Sequence, residues 1–464
     1  MHNLAFETIG NATLICYDKT PILITDPWIE GNPYFGSWQH SYEIPSQQLE
    51  AIKQSKYCWF SHGHPDHLNC DSLYLVKDKQ ILLPNHYGDR IYNDLKNQGY
   101  SVKILKDKKW YNLSKNISVL CIAHSNQDAI LLINMDGKLI LNFNDCPMPD
   151  IFCKKYISKI INKSSKSFLL KLSGFGDADM INYYDQNNNF IPRTPIKDRE
   201  SIGSRMSKIV DQLGINYFIP FSSMHRYQRS DSIWANKYIA NLSDYSKGYY
   251  SDKSEILPAF IRYNCISEFI EPINPLQNTY NVIEPEQFND NWSDELNRID
   301  IQKINQYFLK INHLHNFLDY INIRVGAKDN IIIFKKNKFK RGLQFDVPRH
   351  SLMESINHQI FDDLLIGNFM KTTLHGDWPD SKLYPDFTPF VSKYSDNGDA
   401  NTQKEIQQYF NAYNKRWPLE YFISSLAAIS KNTIRYCLPN NSILYDKVKM
   451  TYNKIREIRS KIFY

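Results

Sequence analysis

The sequence of 464 residues lacks the features that mark several other classes of protein. No apolar run approaches the ~20 residues of a membrane-spanning helix, so no membrane association is expected. The first residues, from Met1 to Leu4, contain neither a basic segment nor an apolar core, so no signal peptide is expected. The formal net charge of +6 is small for this length, which argues against a nucleic-acid partner and is compatible with an anionic small substrate.

The eight cysteines also lack the paired spacing of a disulfide framework. Cys16, Cys58 and Cys121 fall in apolar, strand-like runs and are expected to be buried thiols. We find no internal repeat, and no Gly-x-Gly-x-x-Gly fingerprint of a flavin or nicotinamide site follows a strand. These absences predict a reduced, cytoplasmic protein. The 42% of hydrophobic residues is enough for the core of one large domain or two ordinary ones.

One short stretch, by contrast, is rich in metal-binding side chains. Residues 61–67 read Ser-His-Gly-His-Pro-Asp-His and follow an apolar run at 57–60 that predicts a buried strand. The glycine and the proline break regular structure, so the polar side chains are expected on a loop at the end of that strand. Imidazole and carboxylate suit zinc, iron or manganese. The first two histidines alternate and can share one ion, whereas the aspartate and the third histidine lie beyond the turn and can serve a second ion. A histidine-rich surface loop is the alternative interpretation. The four candidate ligands are His62, His64, Asp66 and His67.

Three later strand ends carry further candidate ligands. His124 follows an apolar strand predicted at 117–121. Asp145 follows a hairpin whose Asp-Gly turn is a strong signal, and it is expected to bridge two ions. His225 follows the strand predicted at 217–221, with a core histidine as the alternative. We expect Asp66 and His225 to act in catalysis as well as in metal binding.

Candidate substrate contacts lie in two regions. An aromatic loop follows the third predicted strand, and its Trp28 and Trp38 either wall a substrate pocket or pack within the loop. A basic segment includes Arg193 and Arg199, which can hold a phosphate or carboxylate, although such charges often form a solvated helix face. Asp128, four residues after His124, completes the predicted set.

The alternation of patterns predicts an α/β fold, specifically an αββα sandwich with a C-terminal α+β accessory domain. Residues 4–26 alternate as a three-stranded β-meander, and helical and strand patterns then alternate. We expect a catalytic domain at 1–250 and an accessory domain or lid at 251–464 that contributes no metal ligand, because its histidines are scattered. Helices are predicted at 45–56 (with Ser46 as N-cap), 70–77, 89–98, 295–319, 351–368, 403–413, 421–430 and from 445 onward.

The His-x-His-x-Asp-His motif is that of the metallo-β-lactamase superfamily. Within it, residues 4–240, and more weakly 361–367, resemble the catalytic domain of the CMP-N-acetylneuraminate monooxygenase (hydroxylase) group. That resemblance implies a metallo-β-lactamase fold, two irons and insertion of oxygen into a C–H bond of an N-acyl sugar. The matching pieces are Asp26-Pro27-Trp28, residues 61–67, His124 with Asp128, Asn144-Asp145-Cys146, Ser173-Gly174-Phe175, and Pro220-Phe221 with His225.

The resemblance has one gap. Enzymes of that group carry a Rieske domain, whose ligands include a Cys-x-His pair, and this sequence contains no such pair. A separate ferredoxin or Rieske protein is therefore the expected electron donor, and a small molecule, such as an anionic sugar or sugar nucleotide, is the expected substrate. The alternative is a hydrolase of an ester, amide, lactone or phosphoester that uses two zinc or manganese ions. A non-catalytic metal-binding scaffold is a third interpretation.

Overall fold

The computed structural model describes residues 4–149, 151–172, 182–191, 200–222, 224–279, 281–336, 338–376, 387–393 and 399–418, together with Trp378, Leu383 and Met450. Within them the strands are β1 (Leu4–Ile9), β2 (Thr13–Asp18), β3 (Thr20–Thr25), β4 (Trp38–His40), β5 (Tyr57–Trp59), β6 (Gln80–Pro84), β7 (Ser101–Leu105), β8 (Trp110–Asn112), β9 (Ile117–Ala123), β10 (Ala129–Met135), β11 (Lys138–Asn144), β12 (Lys166–Lys171), β13 (Tyr183–Asp185), β14 (Tyr217–Pro220), β15 (His225–Tyr227), β16 (Glu255–Ile256), β17 (Ile261–Asn264), β18 (Ile270–Pro272), β19 (Tyr320–Val325), β20 (Lys328–Ile333), β21 (Arg341–Asp346) and β22 (Lys371–Gly376). The α-helices are α1 (Ser46–Gln54), α2 (Arg90–Asn97), α3 (Ile151–Ile161), α4 (Ile202–Leu213), α5 (Leu242–Ser246), α6 (Arg298–Leu309), α7 (Arg349–His358), α8 (Phe361–Gly367) and α9 (Gln403–Asn414).

Two large sheets face each other across a shared core. The first has the order β18-β17-β1-β2-β3-β5-β6-β7 and the second β16-β14-β12-β11-β10-β9-β8. Side chains from both, such as Phe6 and Leu14 from the first and Leu131 and Phe168 from the second, form one buried cluster. This packing is expected when each sheet has an apolar inner face.

Helices cover the outer face of each sheet. Ile52 of α1 and Leu95 of α2 pack with strands of the first sheet. Ile157 of α3 and Val210 of α4 pack with strands of the second. The layers are therefore helix, sheet, sheet and helix, and the predicted αββα sandwich is confirmed.

A third sheet, of order β13-β22-β21-β19-β20, has a core of its own. Helices α6, α7 and α8 bury Ile304, Leu352 and Phe361 against it. The third sheet is not formed from a separate part of the sequence. Its strand β13 comes before β16 and β17, which belong to the second and the first sheet. The boundary predicted at residue 250 thus does not fall between sheets.

Several predicted helices differ in detail. Residues 70–77 contain only a 3-10 turn at Leu73–Val76. The predicted helix at 295–319 is α6 alone, followed by a 3-10 turn at Leu314–Asn316.

The start of α1 and the division between α7 and α8 also differ from the predictions. Ser46 is the first residue of α1 rather than its N-cap. The stretch at 351–368 forms α7 and α8, separated at Gln359, whose φ is 61°. The helices predicted at 421–430 and from 445 lie outside the described residues. In the part of the chain that is described, no helix is both long and apolar enough to span a membrane.

Candidate metal centre

The candidate ligands gather at one edge of the sandwich. Strands β3, β5 and β6 run parallel, as do β11, β12 and β14, so their carboxyl ends meet at common edges of the two sheets. The loop of residues 61–67 follows β5, His124 follows β9 and Asp145 follows β11. His225 begins β15, shortly after β14. The topology therefore brings distant parts of the sequence to one place, as the motif order predicts.

Three of these side chains form a close group. The ligand atoms of His62, His67 and Asp145 all lie within 4.8 Å of one another. His67 Nε2 is 3.3 Å from Asp145 Oδ2 and 3.2 Å from Asp66 Oδ2. His62 Nε2 lies 3.0 Å from His64 Nδ1, so these two imidazoles face the same point. These contacts thus join the four candidate ligands of the loop after β5 to Asp145, the candidate bridging ligand after β11.

A buried carboxylate at the end of β3 holds this group in place. Asp26 Oδ1 accepts the backbone N–H of Ser61 at 2.7 Å. Its other oxygen lies 3.4 Å from His67 Nδ1 and accepts a hydrogen bond from the Asn144 amide. Because Asp26 engages Nδ1 of His67, the Nε2 atom is turned toward Asp66 and Asp145. The sequence predicted no role for Asp26 and Asn144, which stand only in the motifs of the family resemblance.

Asp66 is held by two further side chains. Asn11, in the turn between β1 and β2, donates to Asp66 Oδ2 at 3.0 Å, and Tyr34 donates to Oδ1 at 2.5 Å. Asn11 Oδ1 also accepts the backbone N–H of Met224 at 2.8 Å, which links Asp66 to the segment that precedes His225. Neither Asn11 nor Tyr34 was predicted to contact a candidate ligand.

His124 and His225 border the group on two sides. His124 Nδ1 lies 2.6 Å from Asn126 Oδ1, and Asn126 donates to Asp128. Asp128 Oδ1 in turn lies 3.4 Å from His62 Nδ1. His225 stacks on Trp38, with ring centroids 3.3 Å apart and planes 4° from parallel. Among the described residues, neither His124 nor His225 belongs to the close groups of ligand atoms.

The charges of the group follow from burial and from its neighbours. Burial disfavours a charged His67, yet the carboxylates of Asp66 and Asp145 raise its pKa well above the usual value. Burial, and then the positive His67 and His64, lower the pKa of His62 to about 3. Burial also lowers the pKa of His225 to about 3. Burial followed by the Asp145 carboxylate raises the pKa of Asp128 to about 6.

Unsatisfied polar atoms indicate that these residues fit a bound cation. Both ring nitrogens of His225 and Oδ1 of Asp145 are buried and have no hydrogen-bond partner among the described residues. Each such buried group costs about 1–3 kcal/mol when it is left unpaired. A metal ion removes this cost for several of them at once, because neutral imidazole and carboxylate are its usual ligands.

The predicted substrate contacts are less accessible than expected. Trp28 is fully buried and stacks on His40, with ring centroids 3.8 Å apart. Trp38 is almost fully buried against His225, so both tryptophans pack against other side chains, as in the packed-loop alternative. Asp128 lies beside the metal loops, and Arg193 and Arg199 lie outside the described residues.

A second group of candidate ligand atoms involves the C-terminal half. Asp362 and Asp363, at the start of α8, lie with His64 so that one ligand atom of each falls within 4.8 Å of the others. No candidate ligand was predicted after residue 250, because the histidines there are scattered. The signal available was the weak family resemblance at 361–367, which contains both aspartates.

The layered fold, with its group of candidate metal ligands at one edge, is the metallo-β-lactamase fold. No protein-family profile matches the chain. The predicted resemblance to the hydroxylase group is confirmed over part of the chain. The chain is 29% identical over 138 residues to the cytidine monophosphate-N-acetylneuraminic acid hydroxylase of Asterias rubens, a match covering 28% of this chain and 21% of that protein. It is 25% identical over 137 residues to the inactive human counterpart (Homo sapiens), covering 28% of this chain and 27% of that protein.

The chain therefore spans about a fifth to a quarter of the length of these curated relatives. Among solved structures, it is similar to CmlA, a diiron β-hydroxylase from Streptomyces venezuelae. That likeness has a TM-score of 0.33 and 12% identity, and covers 59% of this chain and 55% of the other. At this score the structural likeness carries no argument about chemistry.

Proposed function

We propose that this chain is a dinuclear iron monooxygenase that hydroxylates a small polar substrate. The observation that carries the proposal is the 29% identity over 138 residues to a protein named as a hydroxylase. The geometry supports it, because the buried, unpartnered atoms of Asp145 and His225 fit a cation. Two iron ions, when bound, supply the redox chemistry that activates O₂, which side chains alone do not supply.

The proposed ligands divide between two ions. The pairing of His62 Nε2 with His64 Nδ1 at 3.0 Å supports a shared first ion, and the contacts of His67 Nε2 with two carboxylates support a second. His124 and His225 enter the proposal from the order of the motif, one on each side. The first ion would be held by His62, His64 and His124, the second by Asp66, His67 and His225, and both by Asp145.

The surrounding side chains have proposed roles of their own. Tyr34 and Asn11 fix both oxygens of Asp66, and burial keeps the Tyr34 hydroxyl protonated by raising its pKa, so it remains a donor. Trp38 covers one face of His225 and excludes water from it. In this proposal Asp66 and His225 act at the reacting centre, positioned by these neighbours.

The substrate and the electron donor are proposed from chemistry rather than from a bound molecule. Hydroxylation of one C–H bond by O₂ consumes two electrons and two protons and releases one water. Because the printed sequence has no Cys-x-His pair and no flavin fingerprint, we propose that a ferredoxin or Rieske centre outside these 464 residues supplies the electrons. We propose an anionic sugar or sugar nucleotide as substrate, with Arg193, Arg199 and Asp128 as its contacts.

The test is isotopic. The protein is loaded with iron without air and supplied with a ferredoxin, its reductase and candidate N-acyl sugars or sugar nucleotides under ¹⁸O₂. We expect a product that gains one labelled oxygen atom, and we expect His225→Ala to abolish it. His358→Ala is the matched control, because that exposed histidine lies on α7 and contacts only Glu354 in the ion pairs of the described residues. Label arriving from H₂¹⁸O, with zinc or manganese and no reductant, would overturn the proposal and indicate a hydrolase.

A further inference from the structure

Helix α8 brings a buried carboxylate from the C-terminal half to a proposed metal ligand. Asp362 Oδ2 lies 3.2 Å from His64 Nε2, although the two residues are 298 positions apart. The side chain of Asp362 is 1% exposed. Among the described residues His64 is its hydrogen-bond partner, and its other oxygen, Oδ1, is buried without one. A carboxylate buried in this way is costly, so its contact with His64 requires an explanation.

The orientation of the His64 ring supplies that explanation. Its Nδ1 atom lies 3.0 Å from Nε2 of His62 and faces the proposed first ion, while its Nε2 atom faces Asp362. A neutral imidazole carries its proton on one nitrogen and its free lone pair on the other. Because the carboxylate accepts the proton on Nε2, the lone pair of His64 is placed on Nδ1, where a metal would bind.

The helix that carries Asp362 is fixed to the loops around the site. The carbonyl oxygen of Gly367 accepts the Ser37 hydroxyl at 2.6 Å, and the carbonyl oxygen of Ile366 accepts the Tyr227 hydroxyl at 3.3 Å. At the other end of the helix, Phe361 is fully buried in the core of the third sheet. Asp362 is therefore held between two packed regions, which suits a group that must orient a ring.

We propose that Asp362 is a positioning residue that fixes the tautomer and orientation of His64 for metal binding through Nδ1. This inference rests on the metal centre of the proposed function but not on its chemistry, so it holds for an oxygenase or a hydrolase alike. A third ion held by His64, Asp362 and Asp363 is the competing arrangement. That arrangement would require His64 to bind metals through both ring nitrogens and lose its remaining proton, which is unfavourable for an imidazole.

The experiment compares metal affinities without any turnover. Wild type, Asp362→Ala and Asp362→Asn are stripped of metal and titrated with cobalt or zinc against a competing chelator. Elemental analysis gives the stoichiometry, and the visible cobalt spectrum reports on the ligand geometry. We expect Asp362→Ala to weaken binding of one of two ions by roughly 10–100-fold, the usual effect of losing such a partner. Asp362→Asn should weaken it less, because the amide oxygen still accepts the Nε2 proton. The cobalt spectrum should change in the Ala variant and be largely restored in the Asn variant.

The matched control is Asp300→Asn, another buried carboxylate of the C-terminal half, which pairs with Arg349 at 2.8 Å. It should lower the free energy of unfolding but leave both metal affinities unchanged. If wild type binds two ions and Asp362→Ala binds both as tightly, the inference is wrong while the proposed metal centre stands. If wild type binds a third ion that both Asp362→Ala and Asp363→Asn lose, the third-ion arrangement replaces it. Wild type that binds no ion overturns the inference and the proposed function together.

Discussion

Replacing Asp26 with alanine should destabilise the protein more than almost any other single change near the site. The carboxylate is completely buried and serves the backbone N–H of Ser61, the Asn144 amide and Nδ1 of His67. Alanine leaves all three without this acceptor in a region that water does not reach. Each unpaired group costs about 1–3 kcal/mol, and removing one member of a buried charged pair costs about 3–5 kcal/mol. We expect a loss of about 3–5 kcal/mol in the free energy of unfolding.

The measurement is urea unfolding of metal-free protein at pH 7, followed by circular dichroism. Asp26→Asn should cost less, about 1–3 kcal/mol, because the amide keeps the shape and one acceptor. Glu50→Gln is the surface control, since the Glu50 side chain is 58% exposed and its ion-pair partner Lys53 is exposed as well, and it should stay within about 0.5 kcal/mol of wild type. A loss in Asp26→Ala no larger than that of Glu50→Gln would refute the reasoning that Asp26 holds the group together.

Three further outcomes are expected. His225→Ala should retain one of two metal ions by elemental analysis, whereas the exposed control His358→Ala should retain both. Two tightly bound ions in His225→Ala would exclude His225 as a ligand. Arg229→Met removes a buried guanidinium that lies 2.8 Å from Asp290 and should cost about 3–5 kcal/mol in urea unfolding; a cost below about 1 kcal/mol would mean that the pair contributes little. In the metal-free protein, His40 should contribute a loss of stability as the pH falls from about 6.5 toward about 4. Burial lowers the pKa of His40 to about 4, so over that range the unfolded state binds a proton that the folded state does not. The urea midpoint of His40→Gln should therefore fall less between pH 7 and pH 5 than that of wild type, and equal slopes would contradict this cause.

The parts of the fold set by local patterns could be predicted from the sequence. The meander of the first three strands follows from alternating apolar residues and turn signals, and the hairpin of β10 and β11 follows from its Asp-Gly turn. The loop after β5 was identifiable because glycine and proline interrupt a run of potential ligands. At residues 70–77 the apolar pattern alone predicted too long a helix, since the structure has only a 3-10 turn at Leu73–Val76.

The residues that hold the ligands in place could not be predicted in the same way. The three supports Asn11, Asp26 and Tyr34 act by contacts with residues that are distant in sequence. The residues next to each of them in the sequence do not indicate those contacts. The contact of Asp362 spans a larger sequence separation, since its partner His64 lies 298 positions away, in the loop that follows a strand of the first sheet. No periodicity encodes such a pair, because it depends on how two separately packed cores meet. The ligand types were visible in the sequence, but their hydrogen-bonded supports were not.

The position of β1 inside the first sheet has a consequence for synthesis on the ribosome. This strand pairs with β2 on one side and with β17 on the other, and β17 is made about 250 residues later. At roughly 5–20 residues per second, one edge of β1 waits on the order of 10–50 s for its partner. All six residues of β1 are buried in the finished fold and four of them are apolar, so the waiting edge is largely apolar and open to pairing with other chains. The nascent chain therefore has a defined interval, ending when residues 261–264 emerge, during which a chaperone that covers extended apolar segments would have the greatest effect on yield.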